Sequence, residues 1–192
     1  MQEAVYTKQT VTEVADCIFH AKFLTPEFCK YILSICEAHK YWDTNKEDEF
    51  RTQDIYFEHD YLSLFETISI GYDTEFRERI SLHLSTDLTD MRSIFAIKYA
   101  EGVQTCLPLH NDESWLSGSI KLNNEYEGAE LYFPRQNYSN KECEVGDILL
   151  WPANFTHPHE CKELTAGIKY SLTLWSKYPE NPPKEKEVYV RS

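Results

Sequence analysis

His110 and Asp112 stand two residues apart in the run PLHNDES, and a second pair of imidazoles, His157 and His159, follows in THPHE. On an extended segment, residues at i and i+2 leave the same face, so His110 and Asp112 can grip one ion together. A histidine from a later strand would complete a set of two imidazoles and one carboxylate. That set holds non-haem Fe(II) on one side and leaves positions open for small ligands. A structural zinc site would want four protein ligands, commonly thiolates, which this pattern does not supply. Because His157 and His159 share a face at the same period of two, residue types alone leave the third place open between them. Beyond them Lys169 sits inside the apolar run GIKYSLTLW. A lysine there either reaches water at a strand edge or is held in the interior by an anion, since an unpaired buried charge is costly. An organic acid bound beside iron would be such an anion, met by the lysine as a point charge.

These residues need a β scaffold. After Met91 the chain breaks into short apolar runs bounded by turn residues: SIFAIKYA, WLSGSIKLN, AELYFP, GDILLWPA and GIKYSLTLW. Their lengths and spacing predict strands of an all-β sandwich or jelly roll. Upstream, residues 4–23 carry β-rich fragments, and Thr25 as N-cap with Pro26 at the first helical position opens a helix to about His39. Its apolar stripe is Phe28, Tyr31, Ile32, Ile35 and Cys36. A second helical region covers 60–84, with Leu64, Phe65, Ile68, Tyr72, Phe76 and Ile80 at helical spacing and Gly71 as its break. Residues 42–60 between the helices are acidic and polar, a solvated connection that could serve as a lid. The tail from Lys177, with Pro179, Pro182 and Pro183, reads as extended.

Composition narrows the partners. A formal charge of −13 with no sizeable Lys/Arg cluster argues against a phosphate-tracking surface, so no nucleic acid is expected. No signal-like segment or membrane-length apolar run is visible, and six scattered cysteines without a CxxC fit reduced thiols. A cytoplasmic protein with no membrane partner is the expectation; the oligomeric state is left open.

The pattern resembles the 2-oxoglutarate/Fe(II)-dependent dioxygenase superfamily, and within it the prolyl and lysyl hydroxylase branch. In that branch a basic residue holding the far carboxylate of 2-oxoglutarate follows the second metal histidine by ten positions. Lys169 is ten after His159 and twelve after His157, so the resemblance gives the ligand role to His159. Gly167, Trp175, the IKY strand ahead of the His-x-Asp and YEGAELYFP match as well, with Ala129 where a second glycine is usual. Seven positions after Asp112, where lysyl hydroxylases tend to present an amide side chain, this chain has Ser119. The lysine at 169 is nearer the prolyl than the lysyl habit.

The resemblance implies a metal set of His110, Asp112 and His159, with Lys169, Tyr99 and Ser119 around the cosubstrate. It implies an α+β, mainly β fold, a double-stranded β-helix (jelly-roll) core buttressed by two N-terminal helices. The whole of 1–192 would be a single dioxygenase domain: 1–92 as helical and β support, 93–176 as metal-binding core, 177–192 as extended tail. The cofactors would be Fe(II) and 2-oxoglutarate with O₂, leaving room for ascorbate. The activity would be hydroxylation of a C–H bond, on a prolyl side chain ahead of a lysyl one in a peptide or protein, releasing succinate and CO₂. A free amino acid or small metabolite is the alternative substrate. A non-catalytic β-sandwich that binds a metal or ligand is the alternative of another class.

Overall fold

The structure, a computed structural model, describes residues 10–42, 52–153 and 155–180. Residues 43–51 of the acidic stretch foreseen as a lid, and residues 181–192 of the Pro-rich tail, lie outside the described residues.

The first helix, α1 (Pro26–Ala38), starts where its cap chemistry requires: the Phe28 amide donates to the Thr25 hydroxyl at 3.3 Å. Such a cap contributes about 1 kcal/mol. The buried stripe is Cys29, Ile32 and Cys36. The expected stripe was drawn through Tyr31, which is instead 54% exposed. Cys29, Ile32 and Cys36 all belong to the apolar core that the helices share with the large sheet.

The expected pair of buttressing helices becomes several helical segments. A short α2 (Phe57–Asp60) precedes α3 (Leu62–Tyr72), which passes through a π turn at Asp73–Arg77 into α4 (Glu78–Leu84). Gly71 does not break the helix; it is a buried position inside α3. The irregularity comes just after it, where the Thr74 hydroxyl donates to the carbonyls of Ile70 and Gly71. The wider π turn keeps Tyr72, Phe76 and Ile80 on one buried stripe, although their spacing of four would drift around a regular helix. Phe76 packs edge-on against Phe23 at 4.9 Å between ring centroids. Among the described residues, no helix is long and apolar enough to cross a membrane.

Among the described residues, twelve strands follow one another as β1 (Thr12–Ala15), β2 (Ile18–Lys22), β3 (Asp54–Tyr56), β4 (Met91–Ala100), β5 (Leu107–His110), β6 (Leu116–Lys121), β7 (Tyr126–Gly128), β8 (Leu131–Phe133), β9 (Tyr138–Ser139), β10 (Asp147–Pro152), β11 (His159–Cys161) and β12 (Leu164–Ser176). The larger sheet is antiparallel in the order β1-β2-β10-β6-β12-β4-β3, with β7 paired to the start of β12; the smaller runs β5-β11-β8-β9. This mainly β, antiparallel architecture is a jelly roll.

Period-two alternation divides the large sheet's work. Ile94 and Ala96 of β4, Ile148 and Leu150 of β10, and Leu172 and Leu174 of β12 face the helices in one apolar core. Each buried isoleucine or leucine among them contributes roughly 1.5–3 kcal/mol. The opposite faces of β4 and β12 present Phe95, Ile97, Tyr99, Lys169, Ser171, Thr173 and Trp175 to a cavity of about 340 Å³ between the sheets. The central strands therefore read as unbroken apolar runs even though one face is functional. All six cysteines are free thiols, as expected.

Candidate active site

The triad is assembled by register. In the small sheet His159 of β11 lies directly opposite His110 of β5, so the two imidazoles leave the same face with ring centroids 4.4 Å apart. Each is oriented from behind: His110 Nδ1 donates to the Pro108 carbonyl at 2.7 Å and His159 Nδ1 to that of His157 at 3.1 Å. That choice of tautomer turns both Nε2 lone pairs inward. Asp112, in the loop after β5, meets them there, with Oδ1 3.5 Å from His110 Nε2 and Oδ2 3.5 Å from His159 Nε2. These separations exceed hydrogen-bond length and suit atoms that would share an ion.

The loop bearing Asp112 is anchored from below. The buried Ser114 hydroxyl donates to the Leu116 carbonyl and accepts the Ser176 amide, while the Ser176 hydroxyl accepts the Leu116 amide. His159 is wedged by the edge of Trp151 at 5.0 Å and by Phe133 at 5.4 Å. Neither the serine anchor nor the Trp151 wedge is signalled by a spacing motif; both depend on chain ends that meet only in the fold.

The His157 ring is turned away from the triad, and only its backbone carbonyl meets His159. It lies before β11 begins, its Nε2 donating to the Asp16 carbonyl at 2.9 Å and its Nδ1 paired with Thr156. Parity along a strand applied to His157 and His159 only if both were in the strand, and the strand starts at His159.

Electrostatics separates the three groups. Burial alone would raise the Asp112 carboxyl, but the two histidines and Ser117 outweigh it and hold it below the ordinary aspartate range. Burial depresses His159, whereas for His110 the adjoining Asp112 overcomes burial and raises the imidazole. Asp112 Oδ2 is buried without a hydrogen-bond partner. A buried carboxylate oxygen so placed between two inward imidazole nitrogens is what a divalent ion would complete, and the oxygen and nitrogen donors fit Fe(II).

Lys169, 4% exposed, projects from β12 into the same cavity. Its Nζ donates to the Ala129 carbonyl at 2.7 Å, touches Cys161 Sγ at 3.3 Å and lies 4.9 Å from the centre of the Tyr99 ring. Tyr99 is its direct cross-strand neighbour on β4. Burial first, then the Cys161 sulfur, pushes the Tyr99 phenol well above its ordinary value. Ala129, standing where a glycine is usual, adopts a left-handed φ of 54°. That conformation costs about 1 kcal/mol for a side-chain-bearing residue and swings its carbonyl to Lys169. Gly167, with φ +80°, must be glycine: a Cβ there would lie 2.2 Å from the Glu125 carbonyl oxygen. This close approach seats β7 on β12 and fixes where Lys169 enters the cavity. Ser119 and Trp175 also line it.

No protein-family model matches the chain. A multifunctional procollagen lysine hydroxylase and glycosyltransferase of Caenorhabditis elegans is 23% identical over 182 residues, covering 86% of this chain. The chain spans 24% of that relative's length. A viral collagen prolyl hydroxylase from Paramecium bursaria Chlorella virus-1 superposes with a TM-score of 0.64 at 14% identity, over 85% of this chain and 97% of that one. A prolyl-4-hydroxylase of Pseudomonas putida does so at 0.60 and 17% identity, over 85% and 93%. The fold is the one these oxygenases share. In sequence and in fold the chain resembles the prolyl and lysyl hydroxylase branch of the 2-oxoglutarate/Fe(II) oxygenases.

Proposed function

We propose that this chain is a 2-oxoglutarate- and O₂-dependent hydroxylase acting on a prolyl or lysyl side chain of a peptide or protein. The observation that carries the proposal is a single cavity with two converging imidazole nitrogens and a carboxylate at one end and a buried lysine at the other. His110, Asp112 and His159 would hold Fe(II), and the Lys169 ammonium would take the far carboxylate of 2-oxoglutarate, with the Tyr99 hydroxyl beside it and Ser119 along its length. Ferrous iron with 2-oxoglutarate and O₂ supplies oxidising power for C–H hydroxylation, yielding succinate and CO₂; ascorbate would serve only to keep the metal reduced. The protein's part is placement: Lys169 and the triad fix the cosubstrate at both ends, and the walls of Phe95, Ile97 and Trp175 keep water from the reacting C–H.

Fe(II) and 2-oxoglutarate added without oxygen are expected to produce the weak visible charge-transfer band of the chelate. Admission of air with a proline- or lysine-containing peptide is then expected to yield succinate and hydroxylated peptide in equal amounts. A folded protein with no band would overturn the proposal.

Metal affinity carries its own pH signature. A proton and a metal ion compete for Nε2 of His110, and Asp112 makes that proton harder to remove. Affinity for Co(II), used as a spectroscopic stand-in, is expected to fall as pH drops from 8 towards 6, approaching roughly tenfold per pH unit once His110 is protonated in the metal-free protein. Titration at several pH values checks this, and equal affinity across the range would remove His110 from the ligand set.

A further inference from the structure

Strands β2 and β10 bring together a second set of metal-binding side chains that shares no residue with the triad. His20 of β2 lies opposite Leu149 of β10, so it takes the face on which Asp147, Leu149 and Trp151 alternate. That face packs with Ile18, Phe133 and Cys143 in a small apolar core of its own. There His20 Nε2 stands 2.8 Å from Asp147 Oδ2, and one atom each from His20, Asp147 and Cys143, able to ligate a metal, lie within 4.8 Å of one another. Cys143 and Asp147 are buried, whereas the His20 side chain is 27% exposed.

The turn that carries two of the three is held by its own backbone. Asp147 Oδ2 also accepts the Glu144 amide at 2.9 Å, the Asp147 amide donates to the Glu144 carbonyl at 3.1 Å, and the Cys143 amide donates to the Asn140 carbonyl at 3.0 Å. Gly146, with φ +88°, accepts the Phe23 and Leu24 amides just past β2, and a Cβ there would lie 2.0 Å from the Leu24 carbonyl oxygen. An ion would therefore meet ligands already gathered, with little ordering left to oppose binding. A hydrogen bond explains His20 and Asp147 as a pair; the buried thiol beside them adds the donor that selects a metal. Imidazole, carboxylate and thiolate are ligands of Zn(II), with water completing the tetrahedron on the exposed side of His20. Zinc would replace the proton now shared by His20 and Asp147 and that of the thiol. Thiolate favours zinc, whereas Fe(II) stands low in the affinity order for such donors, so iron is left to the triad.

We propose that His20, Cys143 and Asp147 form a structural Zn(II) site that clips β2 to the turn entering β10. The site stands apart from the hydroxylase reading, since it shares no ligand with the triad.

The test uses the full chain carrying Asp112→Ala, in which the triad is incomplete. One equivalent of Co(II) is expected to give the intense near-ultraviolet thiolate-to-cobalt charge-transfer band, which the sulfur-free triad cannot produce, and Zn(II) is expected to abolish it by displacement. Adding Cys143→Ser should remove the band, and adding His20→Ala should weaken Co(II) binding by more than about tenfold. Zn(II) should raise the Tm of the Asp112→Ala protein and leave that of the double variant with His20→Ala unchanged, with circular dichroism checking that each is folded. His20 is partly exposed, so its replacement disturbs the core less than that of Cys143, and the zinc-dependent shift decides the matter even where the serine variant does not fold. Absence of a sulfur band, a band that survives Cys143→Ser, or a zinc shift as large without His20 would overturn the site.

Discussion

Asp112→Ala is expected to abolish the Fe(II)·2-oxoglutarate band and to lower 2-oxoglutarate turnover by more than about 100-fold. Loss even of the outer hydrogen-bond partners of a metal site commonly costs 10–100-fold, and here one of three candidate ligands would go. In the metal-free protein the charged carboxylate is favoured by His159, His110 and Ser117 in spite of its burial, so alanine is expected to leave that form somewhat less stable at neutral pH. Thermal unfolding with and without Fe(II) separates this from the loss of the metal: the wild type gains stability with metal by mass action, whereas the variant gains nothing. A variant still stabilised by Fe(II) would show that the metal sits elsewhere.

Lys169→Met is expected to separate stability from function. Methionine can follow the lysine's path through the core without an ammonium, and the Ala129 carbonyl that Lys169 now engages would keep a donor in the Cys161 thiol at 3.4 Å. Cofactor-free protein should be stabilised by about 1–3 kcal/mol, the usual scale for relieving a buried polar group of its desolvation. The 2-oxoglutarate concentration needed for half-maximal band intensity should rise about 100-fold, because removing one partner of a buried charge pair costs 2–5 kcal/mol. Denaturant unfolding and an anaerobic titration measure the two quantities. Unchanged 2-oxoglutarate affinity would mean that Lys169 is a structural lysine held by the Ala129 carbonyl.

The two variants share a readout. The triad and Lys169 are polar groups buried in one cavity, where bound metal and dicarboxylate would add to the stability of the folded state. Ligand-dependent stabilisation is thus as direct a measure of the site as turnover.

Much of this was legible along the chain. The Thr25-Pro26 cap placed α1 to within a residue, because capping depends on neighbours in sequence. The five apolar runs after Met91 correspond to β4, β6, β8, β10 and β12, because burial imposes its period on any strand long enough to show one. That His110 and Asp112 could hold a metal and Lys169 an anion was readable from residue type, and the three line one cavity.

What escaped has a common physical reason: it depends on pairing between distant segments. Strands β5 and β11 are short, with too few residues to display a period, yet their register is what sets His110 against His159. The helical region at 60–84 carries its irregularity in a π turn instead of at Gly71, because packing of Phe76 under the sheet outweighs the local preference of a glycine to break. Asp54 sat unremarked in an acidic stretch; only pairing of β3 with β4 turned its side chain into the cavity. Local sequence determined which groups could do chemistry and which runs would be long strands. The tertiary structure decided which of those groups meet, because register and sheet closure are long-range contacts that no single segment encodes.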